Sequence, residues 1–245
     1  MEYICINSQP LSGYRTYSSI MPFWKRSIDI TCCILAMPVL GVCALLVAII
    51  TKLVSPGPIL FKQERIGYQG RRFKIFKFRT MHVSSDTEIH QSYFKDLMQT
   101  NAPMTKLDAK GDKRLIPLGW IFRASGLDEL PQLINVLRGD MSLVGPRPCI
   151  PTEYEQYLPW QRERVNATPG LTGLWQVSGK NRTTFDEMIR LDIKYARACS
   201  LGQDIRIILL TLPALFQQMS DTMQKRKTAS PATVPLVQRC SAQKR

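Results

Sequence analysis

Residues 125–148 read SGLDELPQLINVLRGDMSLVGPRP. Two carboxylates in succession, Asp128 and Glu129, open a short amphipathic helix in this stretch. Leu130, Leu133, Ile134 and Leu137 recur at i, i+3, i+4 and i+7 and predict a buried stripe. Arg138 and Gly139 supply the stop signals, and Pro131 belongs in the first turn, which sets the helix start near Asp128 rather than Ser125. Acids at a helix N-terminus complement its dipole, worth about 0.3–1 kcal/mol. Capping explains one acid and leaves the second without a use. Adjacent like charges are unfavourable unless a cation or a reaction uses them. The turn Gly145-Pro146-Arg147-Pro148 follows, and a guanidinium in a proline-stiffened turn suits a phosphate. The stretch therefore points to chemistry on a phosphorylated substrate with a divalent metal.

The bulk composition agrees with an anionic partner. In 245 residues there are 33 Lys+Arg against 19 Asp+Glu, a formal charge of +14. Nucleic acid, an acidic membrane surface and phosphorylated substrates all fit that balance. The length allows one ordinary domain with appendages. Seven cysteines with no C-x-x-C pair, and only two histidines (His82 and His90), argue against a zinc site and against a disulfide framework. Reduced thiols in a cytosol-facing protein are the expectation.

Outward towards the N-terminus, Ile30–Ile50 (ITCCILAMPVLGVCALLVAII) carries no charge. At about 1.5 Å per residue a straight helix of this length crosses a hydrocarbon core of roughly 30 Å. A plain transmembrane helix is one reading. A signal peptide fits poorly, because the run is long and no A-x-A-like site follows. Pro38 near the middle removes a backbone hydrogen bond, and Gly41 loosens the same region. Both flanks are basic, with Lys25 and Arg26 before and Lys52, Lys62, Arg65, Arg71 and Arg72 after. Cytoplasmic flanks attract positive charge, so a helix that dips into one leaflet and returns satisfies both at once. Asp29 is tolerable at the interface, three residues from Arg26.

The expected organisation is α+β and mostly helical. A leader (1–24) precedes a re-entrant, helix-break-helix membrane segment (25–54); a small membrane-associated catalytic domain (55–218) and a basic disordered tail (219–245) follow. Ile59-Leu60-Phe61 and Phe73–Phe78, with Gly67 and Gly70 between them, predict a β-hairpin. Residues 83–113 are polar and read as helix plus mobile loop. Phe185–Ala198 reads as a helix. Ile205–Phe216 is apolar on most faces and either lies against the membrane or completes the core.

Two further motifs carry candidate ligand contacts. Lys77-Phe78-Arg79-Thr80-Met81 puts Lys77 and Arg79 on one side of an extended segment and Phe78 on the other. With Arg123 and Arg147 these cations would form a cradle for a diphosphate; alone they would be a solvated strand face. Pro169–Arg182 is glycine-rich but lacks the spacing of a P-loop or a Rossmann turn. It reads either as tight turns or as a nucleotide or sugar pocket holding Thr172, Trp175 and Gln176, the tryptophan stacking or packing.

In this order the blocks resemble the bacterial sugar transferases, the monotopic phosphoglycosyl transferases that begin exopolysaccharide and capsule assembly. The resemblance rests on Lys25-Arg26…Asp29, Lys77–Met81, Arg123…Leu127-Asp128-Glu129-Leu130-Pro131-Gln132, Asn135–Ser142, Gly145–Pro148 and Pro169–Gly173, and covers Lys25 to Phe216. It implies transfer of a phosphosugar from a UDP-sugar to undecaprenyl phosphate, with glucose or galactose as the sugar, at the cytoplasmic face of the bacterial inner membrane. It implies Asp128 as nucleophile, forming a covalent phosphosugar intermediate, and Glu129 as a ligand of Mg2+. Lys77, Arg79, Arg123 and Arg147 would bind phosphate. Members of the family commonly break the membrane helix at Ser-Pro, where this chain has Met37-Pro38. Membrane lipid is an expected partner, nucleic acid is not, and a homo-oligomer stays open. The competing class is a basic peripheral membrane adaptor without catalysis, which gives the paired acids no use.

Overall fold

The structure is a computed structural model that describes residues 21–83, 97–98, 100–103, 112, 114–180 and 182–228. The leader up to residue 20, most of the polar strip 83–113 and the tail beyond 228 lie outside the described residues.

Helix α1 (Phe23–Val54) is assigned as one helix across Pro38, with no interruption at the expected break. One stripe along it, Lys25, Asp29, Cys33, Leu40, Ala44, Val47 and Thr51, faces the rest of the protein. The opposite face leaves Leu35, Val39, Val42, Leu45 and Leu46 exposed. Among the described residues α1 is the one helix long and apolar enough to cross a membrane, and little of its apolar window is buried.

The expected hairpin is present. β1 (Leu60–Ile66) and β2 (Arg72–Phe78) pair antiparallel, Leu60 opposite Phe78 and Ile66 opposite Arg72. β1 extends past its apolar start because the pairing matches Glu64 with Lys74, opposite charges across the ladder. A left-handed Gln69 helps turn the chain between the strands.

α2 (Gly119–Ser125) ends at Gly126, whose φ of 76° starts a 3-10 turn over Leu127–Gln132. That turn runs into α3 (Leu133–Arg138). The acid pair therefore sits on a 3-10 turn, not on the first α-turn, and the change of pitch rotates the apolar stripe. Leu133 and Val136 are buried, whereas Ile134 is 42% exposed. This corrects the i, i+3, i+4, i+7 reading at Ile134, while Leu130, Leu133 and Leu137 pack on the core as expected.

β3 (Ser142–Val144) pairs in parallel with β4 (Gly170–Thr172), a small sheet the sequence pattern did not announce. Between them lie α4 (Pro151–Glu155) and a 3-10 turn over Gln161–Asn166. After α5 (Leu174–Val177), α6 spans Phe185–Ala198, the expected ends. Thr184 and Glu187 cap it reciprocally, Glu187 N–H donating to Thr184 Oγ1 and Thr184 N–H to Glu187 Oε2.

α7 (Leu201–Thr228) is one helix through Pro213. Residues 219–228, placed in the disordered tail by the sequence reading, are thus helical. Leu209 (68%), Leu212 (65%) and Phe216 (73%) are exposed, while Asp204 and Ile207 are buried. Of the two expectations for Ile205–Phe216, core completion fails for this face.

Candidate active site

Three elements hold the acid pair in place. Glu129 N–H donates to Gly126 O at 3.0 Å, which closes the turn. Gln218 of α7 donates from Nε2 to Arg123 O at 3.2 Å and to Ala124 O at 2.7 Å, fixing the end of α2 just before the acids. β2 packs on the turn and brings Lys77 Nζ to Glu129 Oε1 at 2.6 Å. Two blocks read separately from the sequence, Lys77 and Glu129, are therefore in contact. Their side chains are 24% and 34% exposed, whereas Asp128 is 5% exposed.

The remaining predicted cations divide. Arg123, on α2, lies 3.5 Å from Thr80 Oγ1. Arg147 is 3.4 Å from Glu153 Oε2 and lines a small cleft together with Ile66, Pro146, Pro148, Cys149 and Arg164. This cleft lies over the Gly145–Pro148 turn and does not include Asp128. Arg79 departs from the expected cradle. Its three guanidinium nitrogens donate to Pro58 O, Ser55 Oγ and Ser55 O, and it is buried. It pins the loop after α1, because a buried guanidinium needs fixed acceptors.

The glycine-rich segment also takes its plainer reading. Trp175 is buried in a core cluster with Ile66, Tyr157, Phe185 and Met188, the packing role of the two expected for it. Thr172 Oγ1 is 2.9 Å from Thr211 Oγ1. Gln176 Oε1 is buried without a hydrogen-bond partner among the described residues. The glycines serve a close crossing of two backbones. A Cβ on Gly145 would lie 2.2 Å from Thr168 O, and one on Gly170 only 2.0 Å from Gly145 N.

Lys25, Arg26 and Asp29, read from the sequence as the flank of a membrane helix, have partners far along the chain. Lys25 Nζ reaches Asp204 Oδ2 (2.5 Å), Tyr195 Oη (2.8 Å) and Val144 O (2.8 Å). Asp29 Oδ1 accepts from Ser142 Oγ and Leu143 N–H. Arg26 donates to the carbonyls of Val136 and Leu137 at the end of α3. Lys25 of the basic flank and Asp29, the acid tolerated at an interface, are thus parts of the protein interior, while Lys52, Lys62, Arg71 and Arg72 stay exposed.

Arg65 and Arg164 are likewise buried, Arg164 paired with Asp192. Burial, then the neighbouring Arg147, lower the Arg65 guanidinium to about 10, while Glu153, Cys149 and Glu129 act the other way. Arg65 thus senses both Arg147 and Glu129. Glu153 is held below the usual carboxylate range. Burial pushes it up, and Arg147, Arg164, the Tyr157 hydroxyl and Arg65 more than reverse this. The Cys149 thiol is pushed by burial up to about 11 and stays protonated at neutral pH.

Two adjacent carboxylates with a lysine from the neighbouring strand suit phosphoryl chemistry, and comparison with known proteins decides the family. Residues 20–218 match the model of the bacterial sugar transferases. The chain belongs to the bacterial sugar transferase family. Galactosyl transferase CpsE of Streptococcus agalactiae is 42% identical over 216 residues, which cover 83% of this chain and 46% of that protein. The exopolysaccharide production protein ExoY of Sinorhizobium fredii is 37% identical, covering 78% of this chain and 84% of its own length. The UDP-glucose:undecaprenyl-phosphate glucose-1-phosphate transferase of Caulobacter vibrioides is 41% identical, with 78% and 69% covered. The chain thus spans about half of CpsE and most of ExoY. As a bacterial sugar transferase it is an enzyme, and the non-catalytic adaptor reading is withdrawn.

Proposed function

We propose that this enzyme transfers a hexose-1-phosphate from a UDP-sugar to undecaprenyl phosphate, releasing UMP, as the first membrane step of exopolysaccharide or capsule assembly. The observation that carries the reading is the Asp128–Glu129 pair on its 3-10 turn, with Lys77 on Glu129. The names of the relatives support the substrate class.

An oxygen of the Asp128 carboxylate attacks the sugar-linked phosphorus. The bond from that phosphorus to the bridging oxygen breaks, UMP leaves, and an acyl phosphate carrying the sugar remains. A phosphate oxygen of undecaprenyl phosphate then attacks the same phosphorus and frees the carboxylate. Two half-reactions at one site avoid crowding it with two anionic substrates at once. The low exposure of Asp128 keeps water from the acyl phosphate and requires the turn to open for the donor.

The donor set suits Mg2+. Among the described residues no group of three or more His, Cys, Asp or Glu forms a ready-made site, and Mg2+ is commonly held by one or two carboxylates plus substrate phosphates. Glu129, beside Asp128, would hold it. When bound, it supplies neutralisation of charge on the diphosphate. Arg123 and Arg147 orient phosphate oxygens, and Lys77 holds Glu129 in place.

The membrane is the natural cover for the exposed apolar faces of α1 and α7. Both ends of α1 pack on one body, Lys25 on Asp204 and Thr51 beside the loop that Arg79 pins. A span would separate those ends by a bilayer, so we read α1 as entering from and returning to the cytoplasmic face, which requires the helix, unbroken here, to bend at Pro38 in lipid. An enzyme so placed meets a polyprenyl phosphate at headgroup depth.

Asp128→Asn tests the assignment. Expected is loss of both UMP release and protein-bound label from a donor labelled at the sugar-linked phosphate. Full turnover by this variant would overturn it.

A further inference from the structure

The segment from Ser142 to Ile150 is gripped residue by residue. Ser142 and Leu143 donate to Asp29; Val144 O accepts from Lys25 and Tyr195. Gly145 N–H donates to Thr172 O, and Pro146 O accepts from Gly170 N–H. Arg147 O accepts from Arg164 at 2.8 Å, and Pro148 O accepts from Arg65 at 2.9 Å. Cys149 O accepts from Ile66 N–H, and Ile150 N–H donates to Glu153.

Two buried guanidiniums on consecutive carbonyls are unusual company for a four-residue turn. Arg65 comes from β1 and Arg164 from the 3-10 turn 161–166, so the turn is clamped from two separate elements. Arg164 is 1% exposed, and its charge is matched by Asp192 and Glu153. Burying charges in this way is poor value as stabilisation, because apolar side chains of the same volume commonly hold a core as well or better. What a guanidinium adds is a planar fork of donors that fixes its acceptors in direction. The residue whose backbone is fixed is Arg147, which lines the cleft and has its guanidinium 3.4 Å from Glu153 Oε2.

We propose that Arg65 and Arg164 are positioning residues that aim the Arg147 guanidinium at the phosphates of the donor. The proposal rests on the reading above in which Arg147 meets those phosphates. Displacing a binding group by about an ångström costs up to a hundredfold in rate. A lysine at either position keeps the charge and loses the fork.

The test is a double-variant cycle on the full chain in lipid nanodiscs. The proteins are wild type, Arg65→Lys, Arg147→Ala and the pair together, each with kcat and KM for a UDP-sugar at saturating undecaprenyl phosphate and with its unfolding midpoint. Expected is a ten- to hundredfold fall in kcat/KM for Arg65→Lys in the otherwise intact chain. In the Arg147→Ala background the same change should cost less than about twofold, since its route of action is gone. Equal losses in both backgrounds would overturn the inference and leave the role of Arg147 standing. An unchanged kcat/KM in Arg147→Ala would instead overturn the reading of Arg147 itself, and the inference with it. If Arg65→Lys does not fold, the same cycle with Arg164→Lys measures the same coupling. Failure of both lysine variants to fold would show that the clamp serves the fold alone, and would refute the proposal.

Discussion

Lys25→Met is the sharpest test of how α1 is joined to the body. Lys25 Nζ donates to Val144 O, Tyr195 Oη and Asp204 Oδ2, and neither side chain of the ion pair exceeds 5% exposure. Removing the cation leaves the Asp204 carboxylate buried, with the Tyr195 hydroxyl at 2.7 Å as its retained donor. Breaking one side of a buried pair costs about 3–5 kcal/mol, most of it the price of the uncompensated charge. For a chain of this size that lowers the unfolding midpoint by roughly 6–20 °C. Removing the charge as well as the cation relieves that penalty. Lys25→Met with Asp204→Leu should recover most of the loss, and Tyr195 keeps Val144 O at 3.1 Å. The assay is thermal unfolding of purified protein in nanodiscs by near-UV circular dichroism. A fall below about 2 °C for the single variant, or a double variant no better than the single, would refute the account of α1 as a helix locked by a buried charge.

Three other outcomes are expected. Gly145→Ala should lose folded protein or activity outright, because its Cβ would meet Thr168 O at 2.2 Å; a soluble, fully active variant in an expression and turnover assay would contradict the tight crossing. Glu153 has a depressed carboxyl, so its stabilisation is complete above the ordinary value of 4.5 and is lost as pH falls through the folded value. The stability gap between wild type and Glu153→Gln, measured by urea unfolding, should therefore narrow as pH drops below about 4.5, and a constant gap would be inconsistent with that ionisation. Finally, single cysteines placed at Phe23 and Leu53 in a cysteine-free background should react from the same side of sealed vesicles, whereas opposite-side labelling would exclude a re-entrant α1.

Local pattern was enough for some elements. The run Ile30–Ile50 had to be a helix with nowhere aqueous to put its apolar side, and α1 has that exposed face. Alternation around Gly67 and Gly70 announced the hairpin, and the helix read over Phe185–Ala198 is α6. The acids of the candidate site were legible because adjacent like charges demand a reason that sequence alone exposes.

Other features had no local signature. The parallel pairing of β3 with β4 joins segments about 28 residues apart, and three-residue strands carry too short a pattern to read. Arg79 and Lys77 look alike along the chain, yet one ties down the Ser55–Pro58 loop and the other meets Glu129. Trp175 beside glycines resembled a ligand platform until its neighbours proved to be Tyr157 and Phe185. What the sequence by itself determined was chemistry and periodicity: a membrane-seeking helix, a paired acid and a family. Which charges are buried, and whom they meet, was decided by tertiary structure alone. The worth of a charge depends on the solvent it loses and the partner it gains, and for Lys25, Arg65 and Arg164 those include groups far along the chain.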